Sequence, residues 1–149
     1  MPGGYYSDFD DYTNETIIDN PIGRGIDVDT PVDRLGKEHY ITGKKKILQC
    51  MKDVLDTPKG SRFMFPLYGS KLYQILEEPN DLILEDIAEL YIKEALDEWE
   101  PRIIVDEVIC RVSPEDNNVL LAQVNFHMKN SNDEESFVYS TNRVAPEMR

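Results

Sequence analysis

The spacing of apolar residues predicts two amphipathic helices in the first two thirds of the chain. The first begins after Thr42, a residue type that caps helix N-termini, and ends before Pro58. The second begins near Asn80 or Asp81 and ends at Trp99. Each helix has an apolar stripe of the kind that packs on a core (Ile47, Leu48, Met51, Val54 and Leu55 in the first; Leu84, Ile87, Ala88, Tyr91, Ala95, Leu96 and Trp99 in the second).

The segment between the helices contains turn-forming residues and a short apolar run. Residues 57–62 include Pro58 and Gly60, and the apolar stretch from Phe63 to Gly69 is interrupted by Pro66. We expect a packed, irregular connector, followed by a short helix over Lys71–Leu76.

A period of two replaces the helical period after Pro101. Leu120, Ala122, Val124, Phe126 and Met128 alternate with polar residues, which predicts a half-buried strand. Strands at 103–112 and 137–139 flank it across polar turns, and 26–28 is a candidate edge strand. The sequence therefore predicts a small α+β domain in which amphipathic helices pack on an antiparallel meander with an exposed edge.

Length and composition favour one folded domain preceded by an arm. The chain has 149 residues, and residues 1–22 are acidic and rich in Gly, Tyr and Asn without periodicity. We expect a flexible arm over 1–22 and a single domain over 23–149. No apolar run approaches the length of a membrane span, so we expect a soluble, unexported protein.

Charge and cysteine content exclude several classes of function. The net charge is −13, and residues 77–100 carry ten acids against one lysine, which disfavours nucleic-acid binding. Cys50 and Cys110 have no metal-binding or redox spacing, and we expect two buried free thiols. His39 and His127 have no catalytic partners at a recognisable spacing. We expect no metal, no nucleotide and no cofactor.

A peptidoglycan hydrolase is the enzymatic alternative, because two carboxylates in a cleft suffice for glycoside hydrolysis. Glu94, Glu98 and Glu100 are candidates. A general acid needs a carboxyl in an apolar pocket, whereas the helical period places these acids on a wet face. We therefore expect no catalytic residues.

The triplet Glu100-Pro101-Arg102 stands where the acidic helix gives way to the strands. A carboxylate at a helix C-terminus faces the negative end of the helix dipole, and a guanidinium two residues away can offset that cost. Two interpretations stay open: a helix stop with a local ion pair, and a site that binds a partner.

An ordered series of motifs resembles the sheath-initiator, or baseplate-wedge, family of contractile phage tails, which was historically labelled lysozyme-like. The resemblance covers about residues 40–128 and rests on a leucine-rich helix, a Thr-x-x-Gly-x-Arg turn, a Pro-x-Tyr-Gly step and the Glu-Pro-Arg triplet. Their residues are Thr57, Gly60, Arg62, Pro66, Tyr68, Gly69, Trp99, Glu100, Pro101 and Arg102.

The resemblance implies a structural protein that joins wedge proteins to the first sheath ring and templates sheath assembly by strand addition. It implies that Glu100 and Arg102 help to bind wedge subunits, and it admits tube and hub proteins as further partners. It also implies six copies in the baseplate of a phage tail or equivalent particle, assembled in the bacterial cytoplasm from free monomers. Besides the hydrolase, a soluble regulatory binding protein with the same fold stays open, and either sheet edge is a candidate for the sheath contact.

Overall fold

A computed structural model of the chain describes residues 23–28, 31–32, 36, 38–76, 83–116, 119–131 and 133–142. The acidic arm predicted over 1–22 lies outside the described residues. Within these residues, three helices and five strands follow one another as β1 (Arg24–Ile26), β2 (Tyr40–Thr42), α1 (Gly43–Asp56), α2 (Leu72–Leu76), α3 (Ile83–Trp99), β3 (Ile103–Val112), β4 (Val119–Met128) and β5 (Glu134–Asn142). The predicted α+β class is confirmed.

The chain divides into two compact units, with the boundary between Ile47 and Leu48, inside α1. In the first unit, β1 pairs antiparallel with β2 in a two-stranded sheet. The edge strand predicted over 26–28 is thus displaced to 24–26, and its partner strand was not predicted. The buried carboxylate of Asp27 accepts a hydrogen bond of 2.7 Å from Lys45 Nζ in this unit. The single domain over 23–149 stays a prediction.

The second unit contains the predicted meander, with strand order β3-β4-β5 and antiparallel pairing throughout. The alternation in β4 is confirmed, because Leu120, Ala122, Val124 and Phe126 are buried while Gln123 is exposed. β5 is longer than the predicted 137–139 because its polar ends also pair with β4.

Helix α3 packs on β3 and on α2 and presents a narrower buried face than the sequence predicts. Ile92 is fully buried although the predicted stripe omitted it, whereas Ile87, Tyr91 and Trp99 are only half-buried. The buried positions follow the four-residue ridge of one helix face (Leu84, Ala88, Ile92, Ala95, Leu96).

The segment from Thr57 to Ser70, called here the 57–70 loop, is fixed by its own backbone hydrogen bonds. Ser70 N donates to Thr57 O and Lys59 N donates to Ser70 O, both at 2.9 Å, and Gly60 N donates to Pro66 O at 2.8 Å. The prediction of a packed connector was wrong for its far end, which is exposed. We call the side chains of that end the apolar tip: Phe63, Met64, Phe65 and Leu67.

Two glycines test how tightly this loop is built. Gly69 has φ +106°, and a Cβ there would lie 2.1 Å from the carbonyl oxygen of Thr57, whereas Gly60 has φ +93° and open space around it. A non-glycine residue at positive φ costs about 1–3 kcal/mol. We expect Gly60→Ala to lose that amount in urea unfolding and Gly69→Ala to lose at least ~1 kcal/mol more. Equal losses would show that the contact with Thr57 does not constrain the loop.

Candidate functional site: the Glu-Pro-Arg turn and the 57–70 loop

The Glu-Pro-Arg triplet forms the tight turn between α3 and β3, as its proline predicts. Glu100 N donates to Leu96 O at 2.9 Å and completes the last turn of the helix. Ile103 N then donates to Glu100 O at 3.3 Å, which closes a four-residue turn with Pro101 in its second position. Proline suits that position because its φ is already fixed near the required value. The turn thus sets the direction in which β3 leaves the helix.

The Glu100 carboxylate is buried and both of its oxygens are bound by Arg102. Arg102 Nε donates to Oε1 at 2.5 Å and Nη2 donates to Oε2 at 2.6 Å. Glu100 is 2 % exposed, whereas the Arg102 side chain is 30 % exposed. The prediction that this carboxylate lies on a wet face was wrong, because the helix period was extended past the residue where the helix ends. The local ion pair, which is one of the two interpretations that the sequence left open, is present.

The same ion pair raises the pKa of Arg102 above its ordinary value. The hydrogen bond that Arg102 donates to Glu100 is the main cause; burial opposes the rise in pKa, and the Cys50 side chain adds a smaller contribution to it. Cys50 is half-buried rather than buried as expected. A permanently charged guanidinium therefore stays bound to the carboxylate at the end of α3.

Three of the predicted motif residues, Arg62, Tyr68 and Trp99, form a continuous stack beside the turn. The Arg62 guanidinium lies 4.2 Å from the centre of the Tyr68 ring, and that ring meets Trp99 edge-on at 5.1 Å. Burial raises the pKa of Tyr68, with Arg62 opposing the shift. The Trp99 indole Nε1 is enclosed and has no hydrogen-bond partner within the described residues. The stack connects the 57–70 loop to the helix end that carries Glu100.

The other predicted motif residues act through the backbone of the loop. Thr57 Oγ1 donates to Asp53 O at 2.6 Å and closes the end of α1, while its carbonyl accepts from Ser70. Gly60 and Pro66 form one rung of the loop, and Gly69 makes the close approach to Thr57. The structure thus brings the ten residues of the resemblance into the 57–70 loop and the adjoining turn, and these four serve as scaffold.

Two acids of α3 have a role that the helical period did not predict. Glu89 Oε1 accepts from the Cys110 backbone N–H at 2.9 Å, and Glu85 Oε1 accepts from that of Val112 at 3.0 Å. Their four-residue spacing puts them on one helix face, but only the packing of α3 on β3 brings that face to the strand. Burial, with smaller effects from Glu89 and Glu85, raises the pKa of the Cys110 thiol to about 12, so this thiol is unreactive near neutral pH.

The described residues lack a metal-binding cluster and a helix that could cross a membrane. Within them, His, Cys, Asp and Glu form no group of three placed to hold a metal ion. None of the described helices combines the length and hydropathy needed to cross a membrane. His127 Nδ1 lies 2.9 Å from Asp106 Oδ2, at a β-bulge of β3.

Helices packed on an antiparallel meander, and joined to it by a Glu-Pro-Arg turn, define a small α+β protein. The model of the family baseplate wedge protein gp25 matches residues 42–133, more than half of the chain, and the chain belongs to this family. It is a structural component of the baseplate wedge.

Similar proteins share part of this sequence or its fold. Baseplate protein W of Escherichia phage P2 is 35 % identical over 68 residues, which cover 46 % of this chain and 59 % of that protein. The chain thus spans about three fifths of this curated relative. The baseplate of the anti-feeding prophage contains a chain with a TM-score of 0.65 and 21 % identity, covering 74 % of this chain and 89 % of that one.

A protein of Geobacter sulfurreducens provisionally named a tail lysozyme also has this fold. Its crystal structure gives a TM-score of 0.59 at 24 % identity and covers 66 % of this chain and 89 % of that one. At this identity the likeness establishes the fold alone. The name therefore carries no activity over to the present chain.

Removing Arg102 tests whether Glu100 depends on it. Breaking a buried ion pair by removing one partner costs about 3–5 kcal/mol. Because Arg102 is partly exposed, we expect Arg102→Ala to lower the free energy of unfolding by about 3 kcal/mol. Lys71→Ala is the matched control, because Lys71 pairs with Glu94 at 3.0 Å on the surface. Urea unfolding should show a much smaller loss for the control. Similar losses in the two variants would contradict the role assigned to the buried pair.

Proposed function

We propose that this protein joins the baseplate wedge to the first ring of the sheath, and that the outer edge of β5 accepts a strand from a sheath subunit. The observation that carries the proposal is the difference between the two edges of the β3-β4-β5 sheet. Edge strands bind other chains through main-chain hydrogen bonds, which also fix the register of the added strand. One edge of this sheet is bound by α3, whereas no other described strand pairs with the outer edge of β5.

The β3 edge is occupied by α3. The amides of Cys110 and Val112 donate to Glu89 and Glu85, so they point away from β4. In an antiparallel ladder, alternate residues direct their main-chain groups to opposite sides. An added strand at β3 would have to displace two charge-assisted hydrogen bonds, each worth about 1.5–3 kcal/mol.

The β5 edge is arranged to accept a strand. Because Cys110 and Val112 point outward, the residues of β4 that face β3 are Leu121 and Gln123. Their partners in β5 are Ser140 and Val138, whose main-chain groups consequently point away from β4. Both side chains are exposed. β5 therefore offers donors and acceptors at alternate positions, as strand addition requires.

The wedge contact, in this proposal, lies at the Glu-Pro-Arg turn. Pro101 is exposed and part of the Arg102 side chain reaches the surface, while Glu100 holds the guanidinium in one orientation. A partner would meet a pre-oriented cation and lose less conformational entropy on binding. The proposal also includes six copies arranged around the tube and contacts with tube or hub proteins. The free protein is a monomer in this proposal, and assembly takes place in the bacterial cytoplasm.

A proline in β5 tests the edge assignment. The Ser140 amide points outward, so Ser140→Pro should preserve the pairing with β4 and remove a donor from the open edge. We expect the variant to fold and to enter baseplates. Electron microscopy should then show particles whose sheath is absent or detached. Ser140→Ala is the matched control and should give normal sheaths. Normal sheaths on Ser140→Pro particles would contradict strand addition at β5.

We also propose that the protein has no lytic activity. Glu100 has the burial that a general acid needs, but both of its oxygens accept hydrogen bonds from Arg102 and leave no proton to donate. Glu94 and Glu98 are exposed. In a turbidity assay on purified peptidoglycan we expect the clearing rate of buffer alone. Dose-dependent clearing that Glu100→Gln abolishes would establish the hydrolase instead.

A further inference from the structure

We propose that the apolar tip of the 57–70 loop inserts into an apolar groove, bordered by carboxylates, on a neighbouring baseplate protein. The inference deepens the proposed wedge contact and rests on it. It starts from an exposure that is unusual for a small protein. Phe63 is 97 % exposed and Leu67 62 % exposed, and Met64 and Phe65 are also largely in solvent.

The tip is ordered by its own backbone, although its side chains contact little of the described chain. Phe65 N donates to Arg62 O at 3.3 Å and Tyr68 N donates to Phe65 O at 3.1 Å, so two successive turns fix the segment. Met64 has φ +71°, a conformation that non-glycine residues rarely adopt. Such strain is found mostly at functional sites. A preformed tip lowers the entropy cost of binding, and exposed Phe and Met are typical of interface cores.

Charge indicates the chemistry of the groove. Residues 57–71 carry Lys59, Arg62 and Lys71 without any acid, in a chain whose net charge is −13. Lys59 and Lys71 pair with Glu98 and Glu94 of α3, whereas Arg62 forms no ion pair within the described residues. Its guanidinium lies over the Tyr68 ring at the base of the tip. A partner carboxylate at the rim of the groove would meet this fork in a bidentate geometry.

The position of the tip favours a protein that also contacts the Glu-Pro-Arg turn. Arg62 stacks on Tyr68, which contacts Trp99, the residue next to Glu100. Tip and turn can therefore share one partner. Contact between the tips of two copies would bring basic segments together, and anionic lipid would repel the acidic remainder of the chain, so another protein is the occupant that the charges favour.

A photo-crosslinking experiment identifies the occupant. Benzoylphenylalanine replaces Phe63 in the full chain, particles are assembled and irradiated, and the cross-linked peptide is sequenced. The control position is Leu90 on α3, which is 62 % exposed. We expect position 63, and not position 90, to cross-link to another baseplate protein at an apolar segment containing Asp or Glu. Cross-links to a second copy of this chain, to lipid, or to no molecule at all would overturn the proposal.

Matched serine variants measure the contribution of the tip. Leu67→Ser and Leu90→Ser remove equally exposed leucines, so both should keep the melting temperature of the parent protein. Removing an interface anchor commonly weakens binding about tenfold. We expect about a tenfold loss of incorporation into baseplates for Leu67→Ser and none for Leu90→Ser. Equal incorporation of the two variants would overturn the proposal.

Failure of the tip contact and failure of the sheath contact give different results. A chain with a defective tip should be missing from the baseplate itself. A chain with a blocked β5 edge should be present in a baseplate that lacks its sheath. If Ser140→Pro leaves the sheath intact while Leu67→Ser lowers incorporation, the strand-addition proposal fails and the tip proposal stands.

Discussion

The buried ion pair between Glu100 and Arg102 is the constraint on which the rest of the described structure depends. Burying a carboxylate without a partner costs several kcal/mol, so the end of α3 can enter the interior only where a guanidinium follows it closely. Arg102 binds both oxygens. One side chain thereby ties the start of β3 to the end of α3. The direction of the meander, and with it the position of both sheet edges, follows from this turn.

The 57–70 loop is attached to the same point by aromatic contacts. Tyr68 meets Trp99 edge-on and carries Arg62 on its other side, while Gly69 allows the close approach to Thr57 that closes the loop. The stack holds the loop firmly enough for an apolar tip to project into solvent. A rigid scaffold that presents an exposed segment is a common arrangement at binding sites. In this account the scaffold residues of the motif position the contact residues.

The sequence predicted most of the fold because its periodic segments are long. The stripe of α1 and the alternation of β4 each extend over several turns or pairs, so local pattern and tertiary packing agree. The prediction from the sequence failed where tertiary contacts, and not the helical or strand period, determine what a residue binds. Glu85 and Glu89 lie outside the predicted apolar stripe of α3, yet they bind the amides of β3. The strand at 40–42 is three residues long and has too few positions for an alternation to show.

The motif residues of the site were found through resemblance, whereas their roles follow only from the three-dimensional structure. Sequence alone could not choose between a local ion pair and a partner contact for Arg102, because both need the same residues. Phe63 and Leu67 were expected to be packed, since an apolar run between helices is usually buried. Their exposure depends on the glycine and proline geometry of the loop. That geometry lets the backbone groups of the loop bond to one another and leaves the side chains on the outside.

The most direct test of the account is a side-chain-resolution density map of the assembled baseplate with its first sheath ring. We expect a strand from a sheath subunit along β5, continuing the sheet beyond Val138 and Ser140, with Glu85 and Glu89 still bound to β3. We also expect the tip and the Glu-Pro-Arg turn to contact one neighbouring baseplate protein. A sheath strand added at β3, or a β5 edge facing solvent in the assembled particle, would contradict the central claim.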